Sequence, residues 1–431
     1  MEYQKLRQIC EGIRKELRNA TFENIAPSIV ALHGIACDAD SQSHVAALVA
    51  LKTFAESKIN AFKFSILPPV YLILHVHAYV LSALSRIEAE DEVEAIIKDL
   101  DLSLIVAGSN VPLKLRGLIN ELISELPVPL PLPELSNCKY LCPPGVCKHV
   151  SDTYANYIKH TVASLYKPTM SEFEGELASE LHPVHLKELA LSWPACEHWN
   201  SVKYLLAVTS NGYRVVPVEI GSSYVEETWS QDLQTFGSLL CEWLTPASSK
   251  RTTYLAQHDL LLQISAFRQD ILVPDLVHAN LFSSHSGNVT INAWVGPEDT
   301  ISPLHTDPHE NILIQTVGYK YVRLYPPLIT QSMYPRGDSS GIDMANTSSV
   351  ELEKGVFGPL FGDYDIKTED FISLRSRMLS KRQYRDKFPS FGWDHGYVEC
   401  IIGPGDGLFI PTGWWHYVKS LSVSFSVSFW F

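Results

Sequence analysis

The sequence predicts an α+β protein: a helical N-terminal domain followed by a β-sandwich or barrel of short antiparallel strands. Three observations carry this. Apolar residues recur at helical spacing through residues 1–126, a proline-rich stretch follows, and from about residue 165 short runs alternate apolar and polar positions. A length of 431 residues is long for one core and suits two domains, and 46% hydrophobic residues can fill both.

In the first domain Leu6, Ile9, Ile13 and Leu17 share one helical face, with charges between them. The opening stretch MEYQKLRQICEGIRKELRNA reads as a charged helix and not as a signal peptide, so an intracellular protein is expected. Pro68-Pro69 breaks the pattern, and a further helix is expected beyond it. Its apolar run, residues 70–81, is too short to span a bilayer and holds His75 and His77. These two point in different directions on a helix, which favours core or interface histidines over metal ligands. No repeat is clean enough for a solenoid.

Residues 127–164 read as a linker, with six prolines between 126 and 150 and little periodicity. Cys138, Cys142, Cys147 and His149 fall close together there and could supply a closed zinc site, but the spacing matches no common finger and loop thiols are the simpler reading. The eight cysteines form no dense framework, which suits a reducing compartment.

The second domain is expected over residues 165–431. Its strand candidates are YRVVPVEIG, VTINAWVG, NILIQTVGYKYVRLY, GYVECIIGPGDGLFIP and WWHYVKSLSVSFSVSFWF. SQDLQTFGSLLCEWL reads as a helix between them. Residues 337–395 break the strand rhythm as a long insertion, of the kind that lies on a barrel rim where substrates enter. The glycine-rich segment 403–407 leads into a strand and reads as a hairpin, not a phosphate cradle. Residues 337–341, GDSSG, read as a turn and not as a protease nucleophile loop. The stretch RSRMLSKRQYRDK, with six basic residues over 375–387, reads as a solvated face before a nuclear-import or substrate-contact patch.

Charge narrows the partners. With 34 basic against 48 acidic side chains the net charge is −14, which repels naked nucleic acid and is compatible with a basic protein or peptide.

The chemistry concentrates in SPLHTDPHENILIQTVGYKYVRLYPP, residues 302–327. His305 and Asp307, two apart on a strand, would face one side and could meet one metal; as a lone pair they could equally be a polar turn. A third ligand is available in His416, on a late aromatic strand. Two histidines and one carboxylate make the facial triad of non-haem Fe(II) oxygenases, which leaves positions for a keto acid and dioxygen. Lys320, on the strand that follows, can pair with the far carboxylate of such an acid, with Ser302, Asn311 and Tyr254 as hydrogen-bonding companions.

INAWVGPEDTISPLHTDPHENILIQTVGYKYVRLYPP and GDGLFIPTGWWHYVKSLSVSFSVSFWF resemble the JmjC-domain Fe(II)/2-oxoglutarate oxygenases, and VPVEIGSSYVEETWSQDL and YLAQHDLLLQI extend the likeness. They are similar to the subgroup with an N-terminal helical domain, described as histone lysine demethylases and protein arginyl hydroxylases. The resemblance implies a double-stranded β-helix, a cupin-like jelly roll, with flanking helices. It implies Fe(II) on His305, Asp307 and His416, and 2-oxoglutarate on Lys320, helped by Ser302 and Tyr254 and lined by Asn311 and Trp294. It implies O2 as oxidant, with succinate and CO2 released. Glu219 and Trp229 match the family's stretch before the barrel core. A carboxylate beside an aromatic ring would suit a cationic substrate side chain, although both could be purely structural.

The expected substrate is therefore a histone tail or a ribosomal or chromatin protein, in the nucleus or cytoplasm, with no direct nucleic-acid or membrane binding. Hydroxylase and demethylase outcomes stay open. So do two rival readings, a catalytically degenerate module that regulates chromatin by binding partners and a small-molecule enzyme such as a metal-dependent isomerase.

Overall fold

Among the described residues six α-helices build the N-terminal domain: α1 (Glu2–Arg18), α2 (Pro27–Cys37), α3 (His44–Ala61), α4 (Pro69–Glu88), α5 (Val93–Ala107) and α6 (Leu113–Glu125). The computed structural model describes residues 2–39, 42–63, 66–221, 223, 225, 228–245, 252–281, 289–337, 344–356, 360 and 371–431. Ile9, Ile13 and Leu17 of α1 are buried, as their spacing requires. Pro69 occupies the first turn of α4, where its missing N–H costs nothing. That helix runs 20 residues, longer than its apolar run, and by length and composition alone could cross a membrane. In the fold it is the central helix of the domain: Leu74, Val76, Val80 and Leu81 are wholly buried in the helical core. His75 stacks on Tyr79, and His77 Nδ1 lies 2.9 Å from His33 Nε2; both are core histidines.

The proline-rich stretch expected as a linker is strapped to the second domain. It forms a 3-10 turn at Pro133–Leu135 and a helix at Pro144–Tyr154, and Leu135, Leu141 and Cys142 enter the barrel-side core. The prolines restrict the backbone, while the apolar residues around them supply anchors. Cys138 and Cys142 are free thiols, and Cys147 and His149 lie outside the side chains described.

Among the described residues thirteen strands follow: β1 (Ala163–Tyr166), β2 (Val184–Lys187), β3 (Val215–Ile220), β4 (Ser230–Thr235), β5 (Thr253–His258), β6 (Thr290–Gly296), β7 (Ile301–His305), β8 (Asn311–Val317), β9 (Lys320–Tyr325), β10 (Val398–Ile402), β11 (Gly407–Ile410), β12 (Trp415–Ser420) and β13 (Ser424–Trp430). One sheet runs β1-β2-β11-β8-β13-β6-β5-β3-β4 and the other β10-β9-β12-β7. From β6 onward the chain passes back and forth between the sheets, with only β9 and β10 consecutive in one sheet. This is a double-stranded β-helix.

Period-two alternation sorts the side chains. Leu313, Val322, Leu324, Leu408, Ile410 and Val418 point between the sheets, while Tyr321, Tyr325, Phe409 and Tyr417 face outward into other clusters. Helices 194–208, 236–244 and 260–269 cover the back of the large sheet, where Trp199, Phe267 and Phe425 pack edge to face or tilted. The barrel strands β8, β9, β11 and β12 are thus buried along their whole length, while β1 and β4 at the ends of the large sheet stay largely exposed.

Two sequence expectations change. SQDLQT is strand β4, antiparallel to β3, and the helix begins only at Phe236, where Thr235 accepts the Ser238 N–H as its cap. The glycine-rich 403–407 segment is no hairpin, because β10 and β11 belong to different sheets; it is a crossover in which Gly405 takes a φ of +88°. The GDSSG stretch falls almost entirely outside the described residues.

Candidate metal and co-substrate site

His305 ends β7 and His416 sits second in β12, directly opposite it in the antiparallel ladder. A bulge between His416 and Val418 lets Ser302 and His305, three residues apart, both face the interior. Asp307 is not on the strand, so alternation does not bring it to His305. The chain turns after β7, where the Thr306 N–H donates to the Asn346 carbonyl and the Gly413 N–H to the Asp307 carbonyl, and this turn carries the carboxylate back.

The result is compact. Asp307 Oδ1 lies 3.8 Å from His305 Nε2, and Oδ2 lies 3.6 Å from His416 Nε2. One ligand atom from each residue falls within 4.8 Å of the others, and no other such group of His, Cys, Asp or Glu occurs among the described residues. Both imidazoles are held by their far nitrogen. His305 Nδ1 donates to the Pro303 carbonyl at 2.7 Å and His416 Nδ1 to the Trp414 carbonyl at 3.0 Å. That sets the tautomer and leaves each Nε2 lone pair aimed at the carboxylate, as metal ligation requires. Burial, with His305 alongside, pulls His416 down to about 4, so its ring is neutral at physiological pH.

These three residues line a cavity of about 640 Å³. Lys320, Ser302, Asn311, Tyr254, Trp294, Glu219 and Trp229 line it too, so every site residue read from the sequence converges on one space. Lys320 opens β9 after a tight turn at Gly318, whose φ is +74° and whose added Cβ would lie 2.1 Å from the Val423 carbonyl. The lysine is 2% exposed, donates to the Tyr254 hydroxyl at 3.2 Å, and is pushed down to about 7 by burial. Gly296 lies against the Tyr254 ring, where a Cβ would approach to 2.5 Å, and so admits it to the wall. Trp294 Nε1 donates to Ser428 Oγ at 2.9 Å. Asn311 is buried, and its Oδ1 has no hydrogen-bond partner among the described residues.

Glu219 forms the opposite wall, across from Gln231 of β4 and Tyr254 of β5. Burial raises its carboxyl; the Trp229 indole N–H offsets part of this without reaching hydrogen-bond geometry. The sequence reading missed several lining residues. Met344, Asn346 and Thr347 come from the insertion, and His309 and Trp430 stack on one another near the mouth. Nothing in the local pattern marks them, since only the fold brings the penultimate residue beside the ligand turn.

The description of the cupin-like domain matches residues 170–431. The chain belongs to the cupin-like JmjC family. Within it, the chain is 38% identical over 270 residues to lysine-specific demethylase 8 of Danio rerio, covering 62% of this chain and 58% of that protein. It is 39% identical over 249 residues to lysine-specific demethylase JMJ30 of Arabidopsis thaliana, covering 58% and 49%. It is 33% identical over 273 residues to Jumonji C domain-containing protein 5 of Drosophila melanogaster, covering 62% and 59%. The match thus spans between 49% and 59% of the length of these curated relatives. The cupin-like domain contains the whole of the cavity described above.

Proposed function

We propose that this cupin-like protein is an Fe(II)- and 2-oxoglutarate-dependent oxygenase that hydroxylates a side chain of a basic protein, in the nucleus or cytoplasm. The observation that carries the reading is the convergence of His305, Asp307 and His416 in the wall of one cavity that a buried lysine also lines. The site fits the metal: two imidazoles, each with its Nδ1 tied to a carbonyl and its Nε2 turned inward, and one carboxylate are a ferrous ligand set. It fits the keto acid as well. The Lys320 ammonium and Tyr254 hydroxyl can take the far carboxylate, while Ser302 and the orphaned Asn311 line the path to the metal and Trp294 closes the side.

Bound iron with 2-oxoglutarate supplies the O2 activation that no side chain can. The chain's own work is placement. Pro303 and Trp414 carbonyls orient the ligand rings, and the interior Leu313, Ile410 and Val418 keep the reacting end dry. Glu219 and Trp229 offer a carboxylate and a ring to a cationic side chain, arginyl, lysyl or N-methyl-lysyl. The names of the relatives support a lysine demethylase outcome. The intact triad and lysine disfavour a degenerate binding module, and Lys320 favours a keto-acid enzyme over an isomerase.

The test is anaerobic Fe(II) and 2-oxoglutarate binding by the purified protein, followed by peptide turnover read by mass. A gain of about 16 mass units marks hydroxylation and a loss of about 14 marks demethylation. Iron-dependent succinate release that survives His305→Ala would sink the assignment.

A further inference from the structure

A buried carboxylate lies where the helical domain meets the cavity wall. Asp101 of α5 is completely buried, and four donors converge on it: Arg214 Nη2 at 2.7 Å and Nε at 2.8 Å, the Val215 amide at 2.8 Å and Gln263 Nε2 at 2.8 Å. Arg214 is only 2% exposed and gives further hydrogens to Asn120 Oδ1 of α6 and to the Gln263 carbonyl. Gln263 Nε2 also reaches the Val215 carbonyl, and its Oε1 meets His258 Nε2 at the end of β5. Both carboxylate oxygens and four of the five guanidinium N–H groups are therefore engaged, the kind of network a buried ion pair requires.

The position of this cluster gives it a consequence. Val215 is the first residue of β3, and β3 with β4 forms the free edge of the nine-stranded sheet. Its ladder to β5 pairs Glu219 with Tyr254 and Ile220 with Thr253 and continues in the Gly221 N–H donating to the Thr252 carbonyl, all at one end of β3. Glu219, Gln231 and Trp229, the last immediately before β4, are the cavity residues it carries. The ladder to β5 engages only one end of β3; Val216 and Val218 pack into the barrel-side core, and at the other end the Asp101 carboxylate takes the Val215 amide.

We infer that Asp101 is a positioning residue: through Arg214 and the Val215 amide, the helical domain clamps the β3–β4 pair and sets where Glu219 and Trp229 stand relative to His305, Asp307 and His416. The helical domain is then part of the substrate wall and not an appendage. The clamp stands on geometry; only its catalytic consequence rests on the oxygenase reading.

Amide exchange by mass spectrometry on the full chain tests it, in wild type, Asp101→Asn and Arg214→Lys. Arg214→Lys keeps the charge and loses the fork, so it remains informative if Asp101→Asn strands the guanidinium and fails to fold. Exchange over residues 215–220 and 230–235 is expected to rise about tenfold or more, the loss of a charge-assisted hydrogen bond, with β7 and β12 unchanged. In turnover, the half-saturating concentration of a lysine- and arginine-rich probe peptide is expected to rise about tenfold, while substrate-free 2-oxoglutarate consumption stays within about twofold. Unchanged exchange in both variants overturns the clamp, as does a rise spread evenly through the barrel. A loosened edge with unchanged peptide dependence overturns the positioning role. If wild type forms no iron-dependent succinate, the oxygenase reading falls and the exchange comparison still decides the clamp.

Discussion

Lys320 keeps its amine where the surroundings oppose a charge. Burial pulls it from 10.5 down to about 7, so between those values the folded chain binds fewer protons than the unfolded one. Its contribution to stability therefore rises with pH across that window. Binding of a dicarboxylate runs the other way, because it needs the ammonium. Calorimetric 2-oxoglutarate affinity is expected to fall as pH rises above about 7, by up to about tenfold per unit, and Lys320→Ala is expected to flatten that dependence. The same substitution is expected to weaken 2-oxoglutarate by about 30-fold or more, since it leaves a buried carboxylate without its partner; succinate release against co-substrate concentration measures it. His416→Ala removes one of three metal donors, and metal titration is expected to show at least about a tenfold loss of affinity. How much of the site was legible at this scale follows from chemistry. His305, Asp307, Lys320 and His416 are residue types whose combination has few other uses. His309, Trp430 and Thr347 are ordinary strand and loop residues until they are folded beside that set.

Among the elements, turns decide more than strands. Gly318 lets the chain leave β8 in one sheet and enter β9 in the other, delivering Lys320 to the interior. Gly318→Ala forces a left-handed φ on a residue with a Cβ and drives that Cβ into the Val423 carbonyl. A loss of about 2 kcal/mol or more is expected in chemical denaturation, together with weaker 2-oxoglutarate binding. The alternating stretches were readable as strands because a pleated chain buries every second residue. Their pairing was not. β8 and β9 look like a hairpin in sequence and belong to opposite sheets, and so do β10 and β11. SQDLQT looked helical beside an apolar run and became an edge strand because β3 offered its hydrogen bonds. The Asp307 carboxylate was expected on a strand face and is brought in by a turn instead.

At the scale of the whole molecule the two domains share a buried charge. Arg214→Ala leaves Asp101 inside the protein with no counterion, and a loss of about 3–5 kcal/mol is expected in urea or thermal unfolding. Replacing both members with neutral residues of similar size is expected to recover most of it, because the uncompensated charge is then gone.

What the sequence determined by itself was the division into helical and β-rich domains, the kinds of elements in each, and the residue types able to hold iron and a keto acid. Those properties are local: periodicity comes from backbone geometry, and ligand chemistry comes from the side chain. What only the tertiary structure decided was which strands share a sheet, which turn brings Asp307 to the two histidines, and that Asp101 of α5 anchors the wall carrying Glu219. Those depend on contacts between residues far apart in the chain, such as Asp101 with Arg214 and His305 with His416, and no local spacing encodes which distant partner closes them.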